Sequence, residues 1–120
     1  MSPKKNICFR NSIFQTGKNL FNEGKIHDAH LIWEKIWKDG DENSRKKIKG
    51  FIQLSGALLN NEYGKRHAAE YLLKKANENI SQLNDEEFSI DIKNVVMQIR
   101  KYSLLIHDDI CCCQNIPIKL

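Results

Sequence analysis

The sequence lacks a hydrophobic run long enough to cross a membrane, and its opening stretch, MSPKKNICFR, lacks the apolar core of a signal peptide. Cysteine is also scarce. Cys8 stands alone, whereas Cys111, Cys112 and Cys113 are adjacent, which is a poor arrangement for a disulfide framework. Reduced thiols are the norm in the cytoplasm. We therefore expect a soluble cytoplasmic protein that does not associate with membranes.

No region is dominated by charge of one sign. The formal net charge is +4, but the cations are mostly lysines spread among the acids, a balance that serves solubility better than nucleic-acid recognition. The densest basic cluster is SRKKIKG, which begins at Ser44. On a helix its cations lie on the side away from Ile48 and Ile52, as expected for a solvated helix start. We expect no nucleic-acid binding.

Convincing strand alternation is missing as well, and apolar residues instead recur about every 3.6 positions along the chain. A chain of 120 residues with 41% hydrophobic and 28% charged residues has room for one core. The spacing predicts helices over residues 12–22, 26–38, 44–60, 66–81 and 86–107. Ser44 and Asp85 are the expected N-caps. We predict an all-α fold in which residues 1–110 form a single compact bundle of about five helices, followed by an irregular tail, 111–120.

Two segments that lie 40 residues apart resemble each other: GKIHDAHLIWEK begins at Gly24, and GKRHAAEYLLKK begins at Gly64. Each has a glycine to turn the chain and then an alanine, Ala29 or Ala69, where a neighbouring helix can approach. The pattern predicts two helical hairpins covered by a C-terminal helix. Tetratricopeptide-type hairpins share this spacing, but two copies are too few for a stable solenoid, so a closed bundle is favoured.

The first of these segments carries a candidate polar site. On a helical wheel with about 100° per residue, His30 lies at the edge of an apolar arc that includes Trp33 and Trp37, and Glu34 follows one turn later. The carboxylate can fix the imidazole tautomer, which suits an oriented general base or a metal ligand. The same pair can equally be a satisfied structural group. Both interpretations stay open, with the two tryptophans as a supporting aromatic wall.

A metal site on this helix would require His27 beside His30 and Glu34, with a further ligand or solvent to complete it. His27 points furthest toward solvent, so this arrangement is the less favoured one and we expect no metal. The adjacent cysteines of the tail cannot all reach one ion, because recognised zinc sites separate their ligands by two or more residues. The sequence therefore implies no particular cofactor.

The third predicted helix, which includes GFIQLSGALLN, is the expected opposing wall of the site. Beside its apolar arc runs a stripe of small and polar residues: Gly50, Gln53, Gly56, Ala57 and Asn60. A glycine inside a helix costs about 1 kcal/mol relative to alanine, so two of them indicate either close helix packing or a small-walled pocket. In the pocket interpretation Gln53 and Asn60 face the histidine–glutamate pair, which supplies the hydrogen-bond partners that a buried amide needs.

The combination of FNEGKIHDAHLIWEKIW, RKKIKGFIQLSGALLN and GKRHAAEYLLKKA resembles a family of small, mostly helical proteins, domain of unknown function 309, from about Leu20 to Leu83. The most specific positions are Phe21, Asn22, Gly24, Ala29, His30, Trp33, Glu34, Trp37, Arg45, Gly50, Ile52, Gln53, Ala57, Leu58, Gly64 and Ala69. The resemblance implies an all-helical domain and draws attention to His30, Glu34 and Gln53. It implies no reaction.

This chain departs from the family pattern at three positions. The family favours an acidic residue directly after the histidine, a glutamine before the helix-three glycine and a histidine at the end of that helix. This chain has Leu31, Lys49 and Asn60 there. If a family site used the later histidine as a ligand or an acid, Asn60 could still form hydrogen bonds but could not transfer protons in the same way.

Two functions from different classes fit these residues. The first is a binding or interaction module whose polar site around His30, Glu34 and Gln53 holds an unknown small ligand or protein partner; it tolerates Asn60. The second is a hydrolase-type or metal-dependent enzyme that uses His30 as general base or ligand, oriented by Glu34. The one candidate nucleophile in GFIQLSGALLN, the expected opposing wall, is Ser55, which falls on the core arc. Binding is therefore the favoured function.

Overall fold

The computed structural model describes residues 3–107 and 118–120, with their side chains from residue 12 onward, and within those residues the chain forms helices and no strand. The helices are α1 (Pro3–Asn22), α2 (Ile26–Asp39), α3 (Glu42–Glu62), α4 (Arg66–Ile80), α5 (Asp85–Phe88) and α6 (Ile92–His107). The predicted all-α class is confirmed. No helix in the described part of the chain is long and apolar enough to cross a membrane.

The predicted fifth helix is divided in two, so six helices take the place of about five within the described residues. The break occurs at Ser89, whose φ of 55° and ψ of 46° are left-handed. Helix α6 begins at Ile92, and the Asp91 side chain caps its N-terminus by accepting a bond of 3.2 Å from the amide of Asn94. The break leaves Ile90 only 3% exposed while Phe88 stacks on Phe14, with ring centroids 4.1 Å apart.

The structure also corrects both predicted N-caps. Helix α3 is capped by Asp41, whose carboxylate accepts a bond of 2.8 Å from the amide of Ser44, so the serine is the third residue of the helix rather than its cap. At α5 the N-cap position is held by Asn84, which forms no side-chain capping bond. Asp85 instead accepts the amide of Ile92, 3.1 Å away, and so links α5 to the start of α6.

The two repeated segments form equivalent turns between α1 and α2 and between α3 and α4. Gly24 and Gly64 have φ angles of 86° and 80°, the left-handed region that favours glycine. In the first turn the amide of Lys25 reaches back to the carbonyl of Leu20 at 2.9 Å, and the equivalent bond in the second turn is 2.8 Å long. This pattern is a Schellman motif. Each glycine therefore ends one helix and starts the next.

The core lies around Trp33, which has no exposed surface. Its indole packs directly on the backbone of Gly17, because a Cβ there would lie 2.9 Å from Trp33 Cδ1 and closer still to Nε1. The indole Nε1–H donates to the carbonyl of Phe14 at 3.4 Å. Aromatic rings from several elements surround this contact: Phe14, Phe21, Phe51 and Phe88. The missing side chain at Gly17 thus brings α1 and α2 together.

Gly50 has the same effect between α3 and α4. A Cβ at this position would lie 2.6 Å from Cγ1 of Ile80 and 3.2 Å from Cβ of Asn79. Of the two interpretations of the helix-three glycines, close helix packing therefore accounts for Gly50.

The residues after α6 are described only from Ile118 onward. Ile118 is 4% exposed, so this end of the chain is docked on the helices although it has no regular secondary structure. Cys8 and the cysteine cluster at 111–113 lie outside the residues whose side chains are described, and the domain boundary at residue 110 stays a prediction.

Candidate functional site

The candidate site starts from two residues one helical turn apart on α2. Nε2 of His30 lies 3.4 Å from Oε1 of Glu34, within ion-pair distance but longer than a typical hydrogen bond. The His30 side chain is 20% exposed and that of Glu34 is 43% exposed. The pair therefore stands at the edge of the packed interface, with its carboxylate open to solvent.

The other ring nitrogen of His30 faces α3. Nδ1 lies 2.7 Å from the hydroxyl oxygen of Ser55, a residue with no exposed surface. The same hydroxyl lies 3.0 Å from the carbonyl oxygens of Phe51 and Ile52 in its own helix. His30 is thus anchored from beneath by a fully buried polar group, and Ser55 is the residue that sequence reasoning set aside as part of the core.

The hydrogen bonds of His30 depend on the tautomer of its ring. The Ser55 hydroxyl has one proton, which it donates either to a backbone carbonyl of α3, so that its oxygen accepts from Nδ1–H, or to an unprotonated Nδ1. When the proton is on Nε2, that N–H points at the Glu34 carboxylate. Ser55, His30 and Glu34 therefore form a chain of hydrogen-bonding groups that leads from the core to the surface.

Gly56 lies beside the imidazole and is not required by packing. A Cβ built on it would meet Leu72 Cδ1 at 3.5 Å and His30 Cε1 at 3.7 Å, which are ordinary van der Waals distances. Gly56 is only half-buried, and a methyl group fits there without displacing its neighbours. The space beside His30 is therefore larger than this packing demands.

The side-chain hydrogen bonds described for Gln53 and Asn60 go to residues other than His30 and Glu34. The Gln53 amide oxygen accepts a bond of 2.7 Å from Asn79 of α4, and the Asn60 amide donates to the carbonyl of Gly56 at 2.8 Å. Ser55 faces α2, and at about 100° per residue a residue two positions earlier lies on the opposite side of the helix. Gln53 consequently faces α4, and its place beside the histidine is taken by Ser55.

Trp33 and Trp37 do not form a common wall. Trp33 is enclosed in the core, whereas Trp37 is 38% exposed near the end of α2. The guanidinium of Arg45 lies 4.4 Å above the centre of the Trp37 ring. The same guanidinium donates to the carbonyls of Trp37 and Lys38, at 2.8 Å and 3.2 Å. Trp37 and Arg45 thus close the C-terminal end of α2.

The three-residue metal arrangement is not formed. His27 is exposed, and among the described residues no group of three or more His, Cys, Asp and Glu side chains comes together in a way that could hold an ion. His27, His30 and Glu34 thus do not form such a group in the described part of the chain. The sequence signal for the third residue that contacts His30 is Ser55 itself, a hydroxyl within an otherwise apolar helix face.

Comparison with known proteins gives one family match, which extends from α1 into α4. A family model described as "Domain of unknown function (DUF309)" matches residues 14–72, so the match starts earlier in α1 than the resemblance noted in the sequence and ends within α4. No curated protein and no solved structure matches the chain significantly. The matched part includes both hairpin turns together with His30, Glu34 and Ser55. Over residues 14–72, which are 59 of its 120 residues, the chain is similar to the DUF309 family.

Proposed function

We propose that this protein is a binding module in which the exposed edge of His30 and the carboxylate of Glu34 hold a small polar ligand or a polar group of a protein partner. The observation that carries the proposal is the anchoring of His30 by the buried Ser55 hydroxyl at 2.7 Å. A binding group is most effective when its own rotamer is held by a supporting hydrogen bond. His30 meets that condition.

The cost of burying Ser55 supports a functional role for the network. A hydroxyl in an apolar core gains little net stability from its hydrogen bond, about 1 kcal/mol, and alanine is the better helix former. An alanine at this position would pack the core without any polar group to satisfy. The serine is therefore best explained by what it does for His30.

The second hairpin supports this role, because it forms without such a network. At the positions equivalent to His30 and Glu34 it carries Glu70 and Lys74, and it still forms the same glycine turn and the same buried alanine. Glu70 instead lies 3.6 Å from His107 of α6. The histidine–glutamate pair is a property of the first hairpin alone.

The chemistry of the exposed group limits the ligand. An ionised carboxylate has only acceptors, so Glu34 suits a ligand that presents a hydrogen-bond donor such as an amine, an amide or a guanidinium. Beside the ring, Gly56 leaves room for only about one methyl group between Leu72 and His30, so the ligand is held chiefly by its polar group.

The geometry gives less support to a hydrolytic enzyme. Both ring nitrogens of His30 face partners, so the ring must leave Ser55 or Glu34 before it can accept a proton from substrate. Ser55 itself has no exposed surface, so substrate cannot reach it as a nucleophile. These observations support binding over hydrolysis.

The cytoplasmic location expected from the sequence is part of the same proposal, and cell fractionation tests it.

A thermal-shift screen of the unaltered protein against divalent metals and a panel of amines, amides and amino acids tests this function. We expect at least one donor-bearing compound to raise the Tm, and the His30→Ala and Glu34→Gln variants to lose that shift. His27→Ala is the matched control, because it removes an exposed histidine from the same helix and should keep the shift. A shift that survives in both His30→Ala and Glu34→Gln would show that the ligand binds elsewhere and overturn the proposal.

A further inference from the structure

The end of the chain occupies a groove between the last turn of α1 and the middle of α6. Ile118 is almost fully buried and Leu120 is half-buried, whereas Lys119 is exposed. Two amide side chains lie on either side of this segment: Asn22 belongs to α1 and Gln98 belongs to α6. This groove shares no residue with the site around His30.

Each amide side chain binds both main-chain groups of one residue in the segment. The Gln98 amide accepts the N–H of Lys119 and donates to its carbonyl, both at 2.8 Å. The Asn22 amide accepts the N–H of Leu120 at 2.8 Å and donates to its carbonyl at 3.4 Å. A side-chain amide is well suited to this task because it carries one acceptor and one donor side by side.

This bonding pattern is the one that an extended peptide presents. In extended backbone the N–H and C=O of one residue point to the same side, and those of the next residue point to the opposite side. Lys119 is accordingly bound from α6 and Leu120 from α1. Side chains alternate in the same way, so Ile118 and Leu120 turn toward the helices and Lys119 turns away.

The central lysine also contributes to recognition. Its ammonium group donates to the carbonyl oxygen of Asn22, at the C-terminal end of α1. Carbonyls in the last turn of a helix lack intrahelical partners and carry the negative end of the helix dipole, so they favour a cation. The groove therefore selects a basic residue between two apolar ones.

We propose that this groove is a peptide-binding site for an extended segment of a partner protein with the pattern apolar–lysine–apolar, and that residues 118–120 occupy it as an intramolecular competitor. Main-chain bonds supply affinity for any extended peptide, and the alternate side chains supply specificity, as in other grooves that bind extended peptides. The hydrogen bonds of the segment go to two side-chain amides and one carbonyl at a helix end, while Ile118 packs against the core, so a partner peptide must place an apolar residue of its own at the Ile118 position.

The test uses the full chain and a synthetic peptide with the core Ile-Lys-Leu between glycine and serine flanks. The readout is the NMR signals of the Asn22 and Gln98 side-chain amides during peptide titration. Ile118→Ser removes the buried anchor of the internal segment and raises the fraction of open groove. We expect this variant to bind the peptide about tenfold more tightly than the parent.

Matched controls separate the groove from non-specific binding. Gln98→Ala in the Ile118→Ser background should abolish the response, and a peptide with glutamate in place of its lysine should bind at least several-fold more weakly. The proposal is overturned if the folded Ile118→Ser variant shows no change in either amide signal at millimolar peptide. It is equally overturned if the parent is a dimer that Ile118→Ser dissociates, because the segment would then serve a second copy of the chain.

Discussion

Nδ1 of His30 lies 2.7 Å from the hydroxyl oxygen of Ser55, a side chain with no exposed surface, so an edge histidine of α2 is fixed from inside the core by α3. This contact decides the orientation of the imidazole. It also determines which ring nitrogen is left to face Glu34 and the solvent.

We therefore expect Ser55→Ala to change the tautomer ratio of the His30 ring while it changes the free energy of unfolding only slightly. The lost hydrogen bond, about 1 kcal/mol, is offset in part by the better helix propensity of alanine. Long-range nitrogen–proton NMR of the neutral ring should show one predominant tautomer in the parent and a different ratio of tautomers in the variant. Ser81→Ala is the control, because that exposed hydroxyl bonds only the Glu78 carbonyl. An unchanged tautomer in Ser55→Ala would remove Ser55 from the site.

Gly17 in the core and Gly56 beside His30 differ in their tolerance of a methyl group. Gly17→Ala forces the Cβ into the Trp33 indole and should lower the free energy of unfolding by about 1–3 kcal/mol. Gly56→Ala meets only ordinary contacts and should raise it by up to about 1 kcal/mol. Urea unfolding followed by tryptophan fluorescence measures both. Equal destabilisation by the two substitutions would contradict the assignment of free space beside His30.

The paired turns should respond alike to loss of glycine. Alanine at Gly24 or at Gly64 must adopt a positive φ with nothing nearby to clash, so only backbone strain of about 1–2 kcal/mol is expected in each case. Asparagine should cost less at both positions, since it tolerates the left-handed region. Chemical denaturation of the single and double variants checks this. The two costs should add, because a Cβ at either glycine has no neighbour within 4 Å.

Arg45 should not be replaceable by lysine. Its guanidinium group donates hydrogen bonds to two carbonyls at the end of α2 and also stacks on the Trp37 ring. The ammonium group of a lysine cannot do both. Arg45→Lys keeps the charge, yet we expect it to lose about 1 kcal/mol of stability and to shift the emission of Trp37 to longer wavelength. The neighbouring Lys46→Ala removes a charge from an exposed position and should leave both quantities unchanged. A similar loss in Lys46→Ala would point to general electrostatics instead.

The sequence alone was sufficient wherever the deciding interactions are local. The hydrophobic period gave the helical class, the glycines at 24 and 64 marked the two turns, and the spacing of four residues placed His30 beside Glu34. Each of these features depends on residues within one turn or one helix. The predicted caps failed by a few residues because Asp41 competes with Ser44, and Asn84 with Asp85, over the same short stretch.

Only the tertiary structure decided which side chains from different helices meet. Ser55 contacts His30, and Gln53 bonds to Asn79. The rotation of α3 that allows both is set by close contacts between residues distant in sequence, such as Gly50 and Ile80. The docking of residues 118–120 on Asn22 likewise joins residues that are 98 positions apart in the sequence. Hydrophobic periodicity determines which face of a helix is buried, but the register and rotation between helices follow from the packing of all of them together.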